Sequence, residues 1–264
     1  MSITGLFFLP VLANQPSPSS SLISHISRSQ TAQPLPAFFL DHRLFVDTSS
    51  LLPNADPSLR RFTSILALSH TSAIAYLGTS PPRDASKPPA AAAAADKEQQ
   101  SQTSTPTIIT IPSSATESFT QLVGTKLQPQ WAHRQSLVVE NGTSLSMNKG
   151  EWIVRIGDVK IPSRQNQAGP NLRGTLIEVS RGVDASTELK EGSLLTQEDE
   201  LLIREFLASL IQETGVKLEQ SRAMFRRIAT GTGAGVGADV VRPLDQPDFA
   251  LAALYMDMLR GSRG

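Results

Sequence analysis

The segment from 135 to 182 constrains the fold more than any other part of the chain, because strand-like runs follow one another there with only short breaks. The runs QSLVVE, SLSM and EWIVRIGDVKI are separated by the dipeptides Asn141-Gly142 and Lys149-Gly150, and LRGTLIEVSRG follows and ends at Gly182. Dipeptides of this kind favour tight turns between antiparallel strands. The segment therefore predicts a β-meander with a turn at each dipeptide.

The run WIVRIGDVKI also predicts a bent strand. Trp152 and Ile156 share one face of a regular strand, and the apolar positions then change phase across Gly157-Asp158 to continue at Val159. A slip of this kind at a glycine is typical of a β-bulge, and barrels use bulges to bend their strands. We therefore expect a bulge at Gly157 in a curved sheet.

Strand-like and helical runs alternate twice before and into the meander. ITGLFFLPV precedes a capped amphipathic helix in QPSPSSSLISHISRSQ, which is followed by PAFFLDHRLFVDT, RFTSILALSH and SAIAYLGTS. The last two runs are close enough to predict an antiparallel hairpin. TIITIP and a helix in SSATESFTQLVGTKL repeat the alternation. The apolar stripe of that helix contains Phe119, Leu122, Val123 and Leu127.

The remainder of the chain is predicted to be helical. TQEDELLIREFLASLIQET starts at a predicted N-cap, Thr196, with acidic residues in its first turn, and a second helix is predicted over 216–229. QPDFALAALYMDMLR forms a C-terminal helix that docks either on its own sheet or on a partner. Its apolar stripe contains Leu251, Leu254, Tyr255, Met258 and Leu259.

Together these runs predict an α+β fold: a curved antiparallel β-barrel of about eight strands, built from two strand-helix-strand repeats and flanked by helices. The segment 81–106 has no large apolar side chain that could anchor it and is predicted to be disordered. The predicted divisions are 1–80, a first β-rich half with one helix; 81–106, a low-complexity insertion; 107–182, a second β-rich half of the same domain; 183–230, a helical segment; 231–247, a flexible Gly/Pro linker; and 248–264, the C-terminal helix.

Charge and composition exclude several classes of function. The chain carries 24 basic and 24 acidic residues, with 8 basic and 7 acidic up to Gln130. Because non-specific nucleic-acid binding needs clustered Lys and Arg, it is not expected here. The absence of cysteine excludes thiol chemistry and thiolate metal sites. No apolar run reaches the roughly 20 residues that span a bilayer, and the opening lacks the basic start of a signal peptide, so we expect a buried first strand.

The histidines do not form a catalytic or metal-binding pattern. His25, His42, His70 and His133 fall on separate predicted elements, without carboxylates at metal-ligand spacing. Adjacent residues of a strand point to opposite faces, so Asp41 cannot orient His42 as a general base. We interpret His42 as a turn or surface residue. No G-x-S-x-G elbow occurs.

A barrel of this kind raises one enzymatic alternative, a phosphate-processing tunnel whose metals are held by glutamates alternating along strands. Glu140 and Glu178 each stand alone on their runs. Glu151 and Asp158 are more than about 20 Å apart along a strand at about 3.3 Å per residue. The paired carboxylates that such a site needs are missing, so we predict no catalytic and no metal-binding residues.

The glycine-rich run RRIATGTGAGVGADVVRP suggests a nucleotide-binding loop, but its surroundings do not. Gly233, Gly235 and Ala238 match a loose G-x-G-x-x-A. The run follows a predicted helix where the phosphate-binding loop needs a strand, and prolines follow it where the loop needs a helix. We predict a flexible linker and no cofactor. The cluster Arg222, Arg226 and Arg227 is interpreted as a solvated helix face, with a phosphate or acidic-partner contact as the alternative.

The order of elements and the local text resemble subunit 20 of the Mediator complex of RNA polymerase II transcription. The resemblance rests on MSITGLFFLPV, on VENGTSLSMNKGEWIVRIGDVKI, RGTLIEVSRG and LLIREFLASL, and on DFALAALYMDML. It implies a barrel reminiscent of the TATA-binding protein, no enzyme activity, and a place in the nucleus within the Mediator head module. It also implies a heterodimer with Mediator subunit 18, a tether through the C-terminal helix of subunit 8, and an indirect link to RNA polymerase II.

Two alternatives to that function remain open. One is a phosphate-processing enzyme or nucleotide-binding protein, and the other is a DNA-binding module like the TATA-binding protein. The even charge balance does not favour the DNA-binding module. Under the Mediator interpretation, Tyr255, Met256 and Met258 are candidate anchors for a partner, with ordinary core residues as the alternative.

Overall fold

The computed structural model describes residues 2–12, 15–48, 61–69, 73–79, 107–162, 171–182, 195–228 and 247–261. The predicted disordered insertion at 81–106 lies outside these ranges, and so does the predicted flexible linker, apart from Pro247 at its end.

Strands dominate the described residues, and helices flank them. The strands are β1 Ser2–Pro10, β2 Gln33–Asp47, β3 Arg61–Leu68, β4 Ala73–Thr79, β5 Thr107–Ile111, β6 Trp131–Met147, β7 Trp152–Ile161, β8 Asn171–Gly182 and β9 Arg222–Ile228. The α-helices are α1 Ser19–Ser29, α2 Thr116–Gln121, α3 Gln197–Ile211 and α4 Pro247–Arg260.

All the described strands belong to one antiparallel sheet in the order β5-β4-β3-β2-β6-β7-β8-β1-β9. The predicted α+β class is therefore confirmed, as is the hairpin of β3 and β4. The first strand lies between β8 and β9, so the start of the chain is buried in the sheet.

The sheet curls around helix α4. This helix contacts β9 and β1 near one end of the strand order and β4, β3 and β2 near the other. In a flat sheet with strands about 4.8 Å apart, β4 and β9 would be separated by about 34 Å. A helix is only about 10 Å wide, so it reaches both groups only because the sheet bends around it. The strands thus form a curved, barrel-like wall, and α4 lies inside the curl.

One of the two predicted turns in the meander is confirmed. Asn148, Lys149 and Gly150 have φ values of 51°, 58° and 96° and connect β6 to β7. The turn predicted at Asn141-Gly142 is wrong, because β6 continues through it as one strand. Gly142 instead makes room for a neighbour, since a Cβ there would lie 2.1 Å from the Phe38 ring.

The bulge predicted at Gly157 is displaced. Pairing of β7 with β8 is continuous through Gly157, and its shift comes between Val159 and Lys160. The partner strand β6 carries the larger irregularity, between Val138 and Thr143. The apolar pattern changes phase because a different layer covers the strand. Positions before Gly157 pack under α1 and α3, whereas Val159 packs in the cluster that contains α4.

Two helical layers cover the outer face of the sheet. Helices α1 and α3 pack on one part of it, and the predicted N-cap of α3 is confirmed, since Thr196 and Asp199 form a reciprocal capping box. Burial of Asp199 alone would raise its pKa, but hydrogen bonds from Thr196 and Arg227 lower it. Buried side chains of the α1 and α3 layer include Leu22, Ile26, Val154, Ile177, Ile203 and Leu207.

Helix α2 covers another part of the outer face and differs from its predicted stripe. The helix widens into a π-helical turn at Leu122–Lys126, where the Leu127 N–H donates to the Leu122 carbonyl at 3.1 Å. The wider turn changes the direction of the following side chains. Val123 is buried as predicted, whereas Leu122 and Leu127 are exposed.

The helix predicted over 216–229 is wrong, because Arg222–Ile228 forms strand β9. Its backbone pairs with β1 from Ser2 to Phe8. In a short segment with charged residues on both sides of a few apolar ones, the apolar pattern does not distinguish a helix from a strand. Here the pairing with β1 makes the segment a strand.

Candidate functional site at the C-terminal helix

From Phe249 to Arg260, the side chains of helix α4 are buried except along one narrow stripe. The predicted apolar stripe is confirmed, and the helix docks on its own sheet. The residues proposed as partner anchors are not available to a partner, since Tyr255, Met256 and Met258 are 0%, 5% and 0% exposed. The partly exposed side of the described helix consists of Phe249, Ala253, Asp257 and Arg260.

A buried carboxylate of strand β8 connects this helix to the sheet. Glu178 on β8 is 1% exposed and accepts a hydrogen bond from the Tyr255 hydroxyl. It also pairs with the Arg155 guanidinium on the adjacent strand β7. The Ser180 hydroxyl donates to the same carboxylate at 3.0 Å, and the hydroxyls of Ser180 and Thr4 lie 2.9 Å apart. Both charges of the Glu178–Arg155 pair are thus hydrogen-bonded, which is the condition for tolerating a charge in the interior.

Burial, with the nearby Glu178 carboxylate as a second cause, raises the pKa of Tyr255 well above its usual value. The hydroxyl therefore keeps its proton and remains a donor. This hydrogen bond positions α4 against β8.

Strand β9 fixes both halves of α4 through arginines. Arg226 donates to the Ala250 carbonyl at 3.3 Å, near the start of the helix. Arg222 donates to the carbonyls of Asp257 and Met258 at 3.2 and 3.4 Å, near its end. The C-terminal end of a helix carries the negative end of its dipole, so the positive charge of Arg222 is favourable there. Helix α4 therefore runs antiparallel to β9.

The predicted solvated face of the arginine cluster is wrong. Arg222 and Arg226 share a face, as expected, but the reason is the two-residue period of a strand, and the face is turned toward α4. Arg227 points to the opposite face and pairs with Asp199 of α3 at 2.5 Å. These guanidinium groups bind parts of their own chain.

His42 lies in the α4 side of the sheet rather than at the surface. It is fully buried in β2, opposite Leu66 and Leu137 of the two adjacent strands. Neither ring nitrogen has a hydrogen-bond partner in the described part of the chain. Burial, and to a lesser extent the charge of Arg260, lower the pKa of His42 to about 4. The imidazole is therefore neutral at physiological pH.

The two other described histidines, His25 and His133, lie on separate elements, as predicted. His25 lies on α1, and His133 on β6 lies 2.8 Å from the Ser136 hydroxyl and packs edge-on against Phe45. His70 and the glycine-rich run fall outside the described residues.

The candidate carboxylates each have a different partner. Glu140 pairs with Lys160 at 3.7 Å, and Glu151 pairs with Arg181 at 2.9 Å. Asp158 accepts hydrogen bonds from hydroxyl groups. Across the described ranges, no three His, Cys, Asp or Glu side chains come together as metal ligands.

Sequence reasoning missed the Glu178 site, although a signal was present. A charged residue stands in the middle of each of the apolar runs TLIEV and WIVRIG, and the register of adjacent strands places Glu178 opposite Arg155. Paired opposite charges in two buried strands indicate an internal ion pair. The contact with Tyr255 had no signal, because it depends on where α4 docks.

A model of a known protein family matches most of this chain. The model of the TATA-binding related factor of subunit 20 of the Mediator complex matches residues 1–259. The chain belongs to this family, Med20. As a Med20 chain it acts in transcriptional regulation as a subunit of the Mediator coactivator, and the resemblance stated from the sequence is confirmed.

Comparisons with curated proteins and with solved structures do not identify the chain. No curated protein was found to match the chain significantly. Remote likenesses include the PH1819 protein of Pyrococcus horikoshii OT3, with 11% identity, TM-score 0.38, and coverage of 86% of this chain and 94% of that one. A conserved hypothetical protein of Pyrococcus furiosus, Pfu-838710-001, has 7% identity, TM-score 0.36, and coverage of 83% and 99%. The PH1012 protein of P. horikoshii OT3 has 10% identity, TM-score 0.36, and coverage of 84% and 94%. The family match alone identifies the chain.

The helices of the described part do not include one long and apolar enough to cross a membrane.

Proposed function

We propose that the chain is a non-enzymatic subunit of the Mediator head module that works in the nucleus as a one-to-one heterodimer with Mediator subunit 18. The C-terminal helix of Mediator subunit 8 tethers the pair to the head module, and the complex connects regulators to RNA polymerase II. The observation that carries this proposal is the Med20 match over residues 1–259.

Helix α4 fills the concave side of the curved sheet, which supports a role in binding other proteins rather than a ligand inside the sheet. A binding barrel needs a concave interior that a ligand can enter. In this chain the apolar and tyrosine side chains of α4 occupy that position, and the carboxylate there is committed to Arg155 and Tyr255. A partner therefore binds the outer surface or the rim of the sheet.

Large apolar side chains on that surface are the candidate contacts. Protein interfaces are built around buried apolar and aromatic groups, so such side chains gain most from a partner. In the described part of the chain, those more than a third exposed are Leu12, Leu35, Phe39, Ile109, Leu122, Leu127 and Leu201.

Neither alternative function has a supporting observation. The phosphate-processing alternative needs converging carboxylates, and Glu140, Glu151, Asp158 and Glu178 instead have separate partners. The DNA-binding alternative needs an open basic concave face. The concave face is filled by α4, and Arg222 and Arg226 donate to carbonyls of that helix.

Co-expression with Mediator subunit 18 tests the proposal. Native mass spectrometry is expected to show a one-to-one complex, while the chain expressed alone self-associates. Substituting the exposed apolar residues by Asp one at a time will locate the contact with subunit 18. We expect every variant to remain folded and the variants at the contact to lose the complex. A stable monomer that does not bind subunit 18 would contradict the proposal. A reproducible thermal stabilisation by nucleotides and divalent metals would favour the enzymatic alternative.

A further inference from the structure

Helix α1 is attached to the sheet by a cluster of hydroxyls around one carboxylate. The Ser17 hydroxyl, two residues before the helix, donates to the Asp158 carboxylate of β7 at 2.5 Å. The Thr175 hydroxyl of β8 donates to the same oxygen at 3.1 Å and lies 3.1 Å from Ser17. Ser17 also accepts the Ser19 backbone N–H at 3.1 Å, so one side chain joins the first turn of the helix to two strands. We call these residues the α1 clasp.

The clasp contains a dipeptide of the kind that protein kinases read. Pro18 follows Ser17 directly, and Gln15 and Pro16 before it are exposed while Ser17 is partly exposed. Ser-Pro is the minimal substrate of proline-directed serine/threonine kinases. The dipeptide occurs on the described part of the chain only here.

We propose that Ser17 is a site of proline-directed phosphorylation and that a phosphate there opens the α1 clasp. In the reaction, the Ser17 oxygen forms a bond to the γ-phosphorus of ATP while the bond to the β-γ bridging oxygen breaks. ADP leaves, and the hydroxyl proton passes to the base of the kinase. The product has no proton to donate to Asp158.

Electrostatics determines the direction of the effect. A phosphoserine carries a charge of about −1.5 to −2 and would lie against the negative Asp158, whereas the start of a helix offers only about half a positive charge. No ion pair joins Asp158 to a cation within the described ranges. Repulsion therefore outweighs the attraction of the helix dipole. The first turn of α1 separates from β7 and β8, and the packing of its Leu22 and Ile26 side chains against the sheet loosens.

Charge-mimicking variants of the full chain test the opening step. In Ser17→Glu, the amides of residues 19–29 are expected to exchange with solvent about tenfold or more faster than in the parent. Ser20→Glu is the matched control, because it places the same charge on an exposed residue of the same turn without touching Asp158. A purely structural role of Ser17 predicts that Ser17→Ala opens the helix as much as Ser17→Glu.

Removing the opposing charge separates these explanations. Asp158→Asn is expected to slow the exchange of α1 in Ser17→Glu by several-fold and to leave that of Ser17→Ala unimproved. Equal exchange in Ser17→Glu and Ser20→Glu, or no rescue by Asp158→Asn, would overturn the opening step.

A kinase reaction tests the site itself. Ser80-Pro81 and Thr105-Pro106 also match the motif, so the reaction uses a chain in which Ser80 and Thr105 are replaced by Ala. Incubation with ATP and a proline-directed kinase is expected to add one phosphate, located at Ser17 by mass spectrometry and absent in Ser17→Ala. Failure to modify Ser17 in the folded chain would overturn the assignment.

Discussion

The carboxylate of Glu178 on strand β8 accepts a hydrogen bond from the hydroxyl of Tyr255 on helix α4. The two residues are far apart in sequence, and both are buried. The contact therefore fixes the position of the C-terminal helix inside the curl of the sheet, and Arg155 balances the charge that the contact requires.

Glu178→Ala is expected to destabilise the fold by about 3–5 kcal/mol, because it leaves the Arg155 guanidinium without its buried partner. Chemical denaturation measured by circular dichroism gives the value. Glu140→Ala is the control, since the pair with Lys160 is more exposed and should contribute about 1 kcal/mol or less. Equal losses in the two variants would show that the internal pair has no special role.

The sequence predicted those parts of the architecture that local signals specify. The hairpin of β3 and β4, the turn at Lys149-Gly150 and the N-cap Thr196 are all local signals, and all three are confirmed. The wrong predictions concern segments whose structure involves contacts with residues far away in the sequence. At Gly142 the strand continues and the Phe38 ring packs closely on the glycine, and Arg222–Ile228 pairs as a strand with β1.

The site was less predictable than the fold. Glu178 and Arg155 are recognisable as charges within apolar strands, but the sequence could not show whether α4 docks on its own sheet. The interpretation of His42 as a turn or surface residue was also wrong. Its position between buried leucines depends on α4 covering that face of β2.

His42→Leu is expected to stabilise the protein at pH 7 by about 1–3 kcal/mol, because it removes a buried imidazole whose nitrogens have no partner in the described chain. Thermal and chemical denaturation measure the change. Leu137→Ala on the adjacent strand is the control for cavity formation and should destabilise by about 2–5 kcal/mol. A destabilised His42→Leu would contradict the burial of an unpaired ring.

The stability of the parent should fall as the pH is lowered from 6.5 toward 4. The pKa of His42 is about 4 when folded against 6.5 for the free side chain, so the unfolded chain binds the extra proton throughout this range. The contribution of His42 to the free energy of unfolding is therefore fully present above pH 6.5, and it is lower by about 3 kcal/mol at pH 4. Comparison of the parent with His42→Leu at each pH isolates it. Parallel pH profiles would refute the assignment.

Gly142→Ala is expected to destabilise the sheet by about 1–3 kcal/mol, because the added methyl would lie 2.1 Å from the Phe38 ring. Phe38→Leu should recover part of this loss in the double variant, as measured in a double-mutant cycle. Gly182→Ala is the matched control, since its nearest neighbour would be 3.8 Å away. Similar stabilities of the two alanine variants would rule out the close approach.

The placement of α4 inside the curl is tested most directly by titrating Tyr255. The chain has two tyrosines, so Tyr76→Phe leaves Tyr255 as the single reporter. Burial and Glu178 raise the pKa of Tyr255 well above its usual value. We therefore predict no tyrosinate absorbance in the alkaline range until circular dichroism shows that the sheet unfolds. Ionisation near pH 10 in a chain that is still folded would contradict the account, because the helix would then lie outside the sheet.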